Sequence, residues 1–580
     1  MEHCKGMPFP MGTAIVGDSV NFSTTAASGK KCFLLLYKKG GRIPSYEFEM
    51  KEECSFGEIR SIMLKGMDWA DWEYNYKIDN EIVTDVYAKA VTGKEEWAKE
   101  ENLLTKGRIF ADTYNWENDT PLCIPENEVI AYSLHVRGFT KHSSSKVKHG
   151  GTFLGVKEKL PYLKRLGVNQ IHCMPIYEFE ENGRYTNYWG YGSAFCFAPK
   201  SSYAASKDSV SELKDLVKAC HKSGIEIVFD LPFTAEMSKR MIADCIRYYK
   251  MEYHIDGFIV NPFHAPFEEL QKDPLLKNTK ILRKQDDFQN TMRRFLKGDE
   301  GMVESVMWWT RHFSKEEGIF NYITNHTGFT LSDLVSYDGK HNEKNGEKNQ
   351  DGPDYNYSWN CGAEGPSRKR AVVTLRKKQI RNAFLLLLTS QGIPCILAGD
   401  ECHNSQEGNN NVYCQDNEIG WIDWKKGRSY SQFTGFVKDL IRFRKDHPIL
   451  HMPQELRPTD YKSLGWPEIS YHSERAWFAD TESSSRQIGI LYCGGYAKEM
   501  TGKEDVFIYV IYNMHWNEHK FALPDIPEGM RWYLAIDSSK KNSVCPKGEE
   551  LLLEEKKSIY VKPRTILVLL GDAREPGAKA

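Results

Sequence analysis

Strand-like runs alternate with amphipathic helical text from Val129 to about Leu450, strand-and-turn text lies on both sides, and the chain is 580 residues long. Together these predict an α/β fold: a (β/α)8 TIM-type barrel flanked by an N-terminal β-sandwich and a C-terminal antiparallel β-domain. The length suits about three or four ordinary domains, fewer where one is a barrel. Boundaries are expected at 1–115, 126–455 and 460–573, with the barrel shortened between 262 and 320.

From Gly12 to about Val91 the runs AIVGDSVNFSTTA, KCFLLLYKKG and WEYNYKID carry β-branched and aromatic residues between Gly, Asp and Asn turns, which predicts the sandwich. A charged stretch, TGKEEWAKEENLLTKG, leads out of it. Then VIAYSLHVRGF, FLGVKEKLPYLKRLG, VNQIHCMPIYEF, SVSELKDLVKACHKSG and IEIVFDLPF alternate apolar strands with helical periodicity, the signature of βα units on a parallel sheet. DGFIVN, FNYITN and PCILAGD are further candidate strands, several ending in polar residues where such a barrel places its site. A helix around SQFTGFVKDLIRFRKDHPIL closes the barrel, and RQIGILYCGG, DVFIYVIYNM, RWYLAIDSS and SIYVKPRTILVLLG read as antiparallel strands.

A formal net charge of -2 gives no electrostatic case for nucleic acid or an anionic membrane surface. The 14 cysteines are scattered without a CxxC or CxxH cluster, so no metal, cofactor or disulfide framework is implied, and reduced thiols fit best. The start MEHCKGMPFPMGTAIVG lacks a signal-peptide pattern and no stretch of 18 apolar residues occurs. A cytoplasmic protein that does not span a membrane is expected.

Five long strings carry more specific information: VIAYSLHVRGFT (129–140), NYWGYGSAFCFAP (187–199), NYITNHTGFTLSDLVSYDGKHNEKNGE (321–347), SWNCGAEGP (358–366) and ILAGDECHNSQEGNNNVYCQDNEIGWIDW (396–424). By them the chain resembles the isoamylase and glycogen-debranching, pullulanase-like branch of the α-amylase superfamily, glycoside hydrolase family 13. The resemblance runs over nearly the whole chain and is weakest in the flanking domains and between Asn261 and Gly298. It implies a starch-binding module in the N-terminal sandwich and hydrolysis of α-1,6 bonds with retention. That chemistry needs a carboxylate nucleophile about 5 Å from a carboxylic acid.

The family pattern is broken at each of these groups. Of the strand-3 Asp and Asn-His, Asp230 remains, while Thr234 and Ala235 take the other two positions. The strand-4 motif Gly-Phe-Arg-x-Asp is GFIVN here, putting Ile259 in place of the arginine and Asn261 in place of the nucleophile. An amide carries no charge to stabilise an oxocarbenium-like centre, and losing arginine removes five donors beside it. The segment that carries the general acid looks deleted, with Arg283, Lys284 and Gln285 where it should begin, and the strand-7 His-Asp is His326-Thr327, after Asn325. Each lost charge raises the barrier by several kcal/mol, where about 1.4 kcal/mol is tenfold in rate. The resemblance therefore implies a non-hydrolytic pseudoenzyme that binds α-glucan or a branched maltooligosaccharide, or supports an active debranching enzyme. The alternatives are a working hydrolase or transglycosylase with relocated carboxylates, and a structural subunit without sugar binding.

The retained cleft would comprise Asp230, Asn261, His264, Asn325, His326, Thr327, Tyr188 and Trp189. Each has a competing structural role. Asp230 and His326 suit a sugar hydroxyl or a hydrogen bond at a strand end, His264 a pocket or the surface, and Tyr188 and Trp189 a glucose ring or packing. Trp69, Trp72, Tyr74 and Tyr76 alternate as a strand would, fitting a glucan platform or the sandwich core. Glu268, Glu269 and Asp273 are the nearest carboxylates to Asn261 that a relocated mechanism would recruit, unless they form a solvated helical face.

Overall fold

A computed structural model describes residues 2–99, 104–109, 111, 113–429, 431–555 and 557–573, with the side chains of 427–429 left aside; part of the charged stretch, 100–103, lies outside the described residues. Two compact units are present, one of Met1–Leu122, His135–Leu160 and Cys173–Ile281, the other of Cys123–Leu134, Pro161–His172 and Leu282–Ala580.

In the first unit the alternating N-terminal runs build two antiparallel sheets. Strands Glu2–Lys5, Ile59–Lys65, Ser19–Thr25 and Gly12–Val16 form one; Tyr46–Glu49, Cys32–Lys38, Trp72–Ile78, Lys106–Arg108 and Val91–Thr92 form the other, with Glu81–Val83 paired to Trp72–Ile78. Phe22, Leu34, Leu36, Leu64, Tyr74 and Tyr76 pack between them, fully buried. The sequence pattern left the aromatic run open between a platform and a core. Trp72, Tyr74 and Tyr76 lie in the core and Trp69 packs partly buried against it, so none of the run stands as an exposed sugar platform.

The rest of that unit follows the βα alternation. Strand Glu226–Asp230 is buried along its length and pairs in parallel with Gly257–Ile259, in register Val228 to Gly257 and Asp230 to Ile259. Helices Ser209–Lys222 and Lys239–Tyr253 are capped by the side chains of Asp208 and Ser238. Gly257 is required by close approach, since a Cβ there would lie 2.7 Å from the Lys280 carbonyl oxygen. Beside it the buried Lys280 ammonium and Glu226 carboxylate pair at 2.6 Å. Asp256 accepts the Ile227 N–H at 2.9 Å and sits 2.9 Å from His221, fixing the starts of both strands.

In the second unit strand Ala131–Leu134 runs parallel to Cys395–Leu397. FNYITN, expected as a strand, makes one isolated parallel bridge, Asn321 to Pro394, and Ile319 just before it makes another with Arg283. Beyond Asn321 the Ile323 carbonyl accepts the Arg293 guanidinium at 2.6 Å. Between strand Lys280–Leu282 and Ile319 the described residues form helices Asp287–Lys297 and Val303–Arg311 with no strand between them. The long helix Arg370–Leu388 precedes Cys395–Leu397, and Ser431–Asp446 follows it. The C-terminal runs form an antiparallel sheet in the order Ile469–His472, Gln487–Tyr492, Phe507–Asn513, Thr565–Asp572, Arg531–Asp537, Leu551–Leu552. Among the described residues no helix is long and apolar enough to cross a membrane.

Candidate functional site

Asp230 ends its strand, 7% exposed, and its charge is one of the causes, after burial, that raise the Tyr191 hydroxyl well above the usual phenol range. Tyr191 in turn meets Trp189 edge to face at 5.8 Å. Tyr188 and Trp189 are 1% and 5% exposed. Tyr188 packs on the His135 ring at 4.1 Å, and its carbonyl is 2.9 Å from His135 Nε2. These two aromatics are wall rather than open stacking surface.

Asn261 follows strand Gly257–Ile259 by two residues and is exposed. Its Oδ1 accepts the Phe263 N–H at 3.0 Å, and its carbonyl accepts the N–H groups of His264 and Ala265. The side chain thus closes the turn it starts, a role open to Asn and Asp alike. Ile259, two residues before Asn261, is buried. His264 is half-buried, and the turn leaves Phe263 89% exposed beside Asn261. Glu268 and Glu269 are exposed on helix Phe267–Gln271, while Asp273 caps the next turn and pairs with Arg247 at 2.6 Å. None of the three points to recruited catalysis.

In the second unit Asn325 collects several partners. Its Oδ1 accepts from the Thr327 N–H at 2.8 Å and hydroxyl at 2.6 Å, and its Nδ2 reaches Gln289 at 3.4 Å and Asp286 at 3.5 Å. Asp286 also accepts the Tyr322 hydroxyl at 2.7 Å. Asn325 and His326 are buried and Thr327 exposed. Arg293 lies beneath, fully buried, and desolvation lowers its pKa to about 10. Asp400, accepting from Thr324 Oγ1 and from Leu331 N–H at 2.9 Å, is pushed up to about 7 by burial.

Sequence reasoning took Arg283, Lys284 and Gln285 as the place of a deleted acid and passed over the next residue. The connection from Lys280–Leu282 to helix Asp287–Lys297 has only four residues, and its last is Asp286, an exposed carboxylate held by Tyr322. The charged string RKQDD carried that signal. Tyr191, within the NYWGY segment, and Phe263, within the turn text NPFHAP, were also passed over. Among the described residues no group of three or more His, Cys, Asp or Glu side chains is arranged to hold a metal ion.

The α-amylase catalytic-domain model matches residues 109–266. The chain is 30% identical to isoamylase 1, chloroplastic, of Arabidopsis thaliana, over 92% of this chain and 85% of that one. It is also 30% identical to a glycogen debranching enzyme of Erwinia tasmaniensis, over 77% and 85%. The chain belongs to the α-amylase family, in its isoamylase and glycogen-debranching branch. Pullulanase type I from Bacillus subtilis, solved with maltose, superposes with a TM-score of 0.73 at 18% identity, covering 98% of this chain and 86% of that one. This isoamylase-like chain therefore has the (β/α)8 barrel with flanking β-domains expected of it, in a family of α-glucan metabolism.

Proposed function

We propose that this isoamylase-like protein is a non-hydrolytic member of its family that binds branched α-glucan. The observation that carries the reading is the state of two positions that the family resemblance makes catalytic. Asn261 is an uncharged amide closing its own turn, and Thr327 is a hydroxyl bonded to Asn325. Neither can attack an anomeric carbon as a carboxylate does or offset a developing positive charge. The glucan half of the reading is supported by relatives solved with maltose and maltotetraose. It is supported too by the open Phe263 ring next to Asn261, since a sugar face stacks on an exposed aromatic. In this role the protein would be cytoplasmic and would hold glucan for an active debranching enzyme.

The test pairs two measurements on purified protein. Release of reducing ends from glycogen and pullulan should stay at the buffer rate, while calorimetry with a branched maltooligosaccharide should give binding that Phe263→Ala weakens by about tenfold. Asp286 motivates the second reading, a hydrolase with a relocated acid. Measurable hydrolysis that Asp286→Asn or Asp230→Asn abolishes would establish it and end the first.

A further inference from the structure

A cavity of about 520 Å³ lies in the second unit, with Arg370, Lys377, Arg381, Lys541, His403 and Phe433 on its lining. Its chemistry differs from that of a neutral-glucan cleft: among the described residues four permanent cations line it and no carboxylate does. Three of those cations come from one helix. Arg370, Thr374, Lys377 and Arg381 follow at steps of four, three and four residues on Arg370–Leu388, the spacing of a single helical stripe. Like charges at such spacing repel along the stripe, so an anion between them is favoured.

The second wall is a mixture. Phe433 and Phe436 make an apolar floor with ring centroids 5.6 Å apart, and His403 packs on Phe433 at 4.3 Å. Gln432, Thr374 and Ser539 place amide and hydroxyl groups around it. Burial first, and then the charges of Lys377 and Arg381, push His403 down to about 3, so it adds no charge of its own at neutral pH. Arg381 is 8% exposed and aimed by one hydrogen bond, Nε to the Ser538 carbonyl at 2.8 Å. Among the described residues neither Arg370 nor Lys541 has an ion-pair partner.

We propose that this cavity is a binding site for the phosphate monoester of a sugar, with the phosphate among Arg370, Lys377, Arg381 and Lys541 and the sugar ring over Phe433. A monoester carries roughly -1.5 to -2 charges at neutral pH and three acceptor oxygens, which suits several converging cations better than a single carboxylate does. Arginine forks supply paired donors in the geometry phosphate accepts. The cavity falls within the range of about 300–1,000 Å³ found for small-molecule sites, more than inorganic phosphate alone would fill. The site is independent of the glucan reading, since it shares no residue with Asp230, Asn261 or Asn325.

Calorimetry on the full chain tests this with four probes: a hexose 6-phosphate, glucose, inorganic phosphate and a maltooligosaccharide phosphorylated on one ring. The hexose phosphate should bind at least tenfold more tightly than inorganic phosphate, and glucose should give no heat attributable to the site. Arg370→Met with Lys541→Met, both at exposed positions, should weaken that binding at least tenfold at an unchanged unfolding midpoint. Tighter binding of the free hexose phosphate than of the phosphorylated chain identifies a free metabolite as ligand, and the reverse order identifies a phosphorylated glucan. Equal binding of glucose and its phosphate, affinity untouched in the double variant, or equal competition by a polyglutamate peptide would each overturn the assignment.

Discussion

Asn261 has the shape of an aspartate, and either residue could accept the Phe263 N–H at 3.0 Å, so the turn needs no rebuilding to carry one or the other. What differs is a charge, and with it the affinity for a positive centre. An uncharged amide at 261 is legible in the sequence, since residue identity alone decides whether a group ionises. Asp286 was not legible in the same way, because its importance comes from the Tyr322 hydroxyl and the Asn325 amide, which fold back to it from 36 and 39 positions away. A residue-scale prediction concerns Asp400, whose folded pKa of about 7 stands above the ordinary 3.8. Between those values the folded state holds a proton that the unfolded state has lost. Ionisation therefore destabilises the fold progressively as pH rises from about 4 to 7, at up to about 1.4 kcal/mol per pH unit. Asp400→Asn removes that slope. Denaturant titrations at pH 4.5, 5.5 and 6.5 should show the variant gaining on the wild type at each step and levelling above pH 7. A constant difference across the series would contradict the buried, proton-sharing carboxyl.

Among elements, the parallel strands were readable because both their faces are buried and their apolar runs are continuous, as in Glu226–Asp230. The 319–321 segment shows why pattern reading stops short. Its text is as apolar as a strand's, yet it makes only isolated bridges, and just beyond it the Ile323 carbonyl is held by Arg293, from a helix about thirty residues upstream. The Trp72–Ile78 aromatics were ambiguous for the opposite reason: alternation marks two faces but not which is covered. Arg444 illustrates an element joined by a side chain. It projects from helix Ser431–Asp446 and donates to the carbonyls of Leu388, Ser390, Gly392 and Leu450 at 2.7–2.9 Å. The first three belong to the end of helix Arg370–Leu388 and the turns after it, where carbonyls lack helical partners, and Leu450 to the turn that follows the helix of Arg444 itself. Arg444→Met would keep the volume of the stem but leave four buried acceptors unpaired. A loss of at least about 3 kcal/mol of stability is expected, at roughly 1–3 kcal/mol for an unsatisfied group, and urea unfolding measures it. A change under about 1 kcal/mol would mean that water reaches those carbonyls.

At the scale of the whole chain the family was legible from five strings spread over some 300 residues, because long runs of rare residues carry a resemblance that no single residue can. The division into compact units was not, since the backbone passes from one unit to the other after residues 122, 134, 160, 172 and 281. Helix Phe153–Leu166 itself carries one of those passages. Helices form and melt cooperatively, so the two parts of this helix are expected to lose structure together. The cysteines make this measurable. All fourteen are free thiols, with Cys4 and Cys123 exposed. Cys173, Cys196, Cys220 and Cys245 are buried in the first unit and Cys361, Cys395, Cys402 and Cys493 in the second. Burial pushes Cys173 up to about 12 and Cys493 to about 11, which suppresses the thiolate that reacts. An alkylating reagent on the native protein should therefore modify Cys4 and Cys123 first. With rising denaturant, peptide mass spectrometry should find the two buried sets labelled at one common midpoint. Protection lost at separate midpoints for the two sets would show that the shared helix does not couple them.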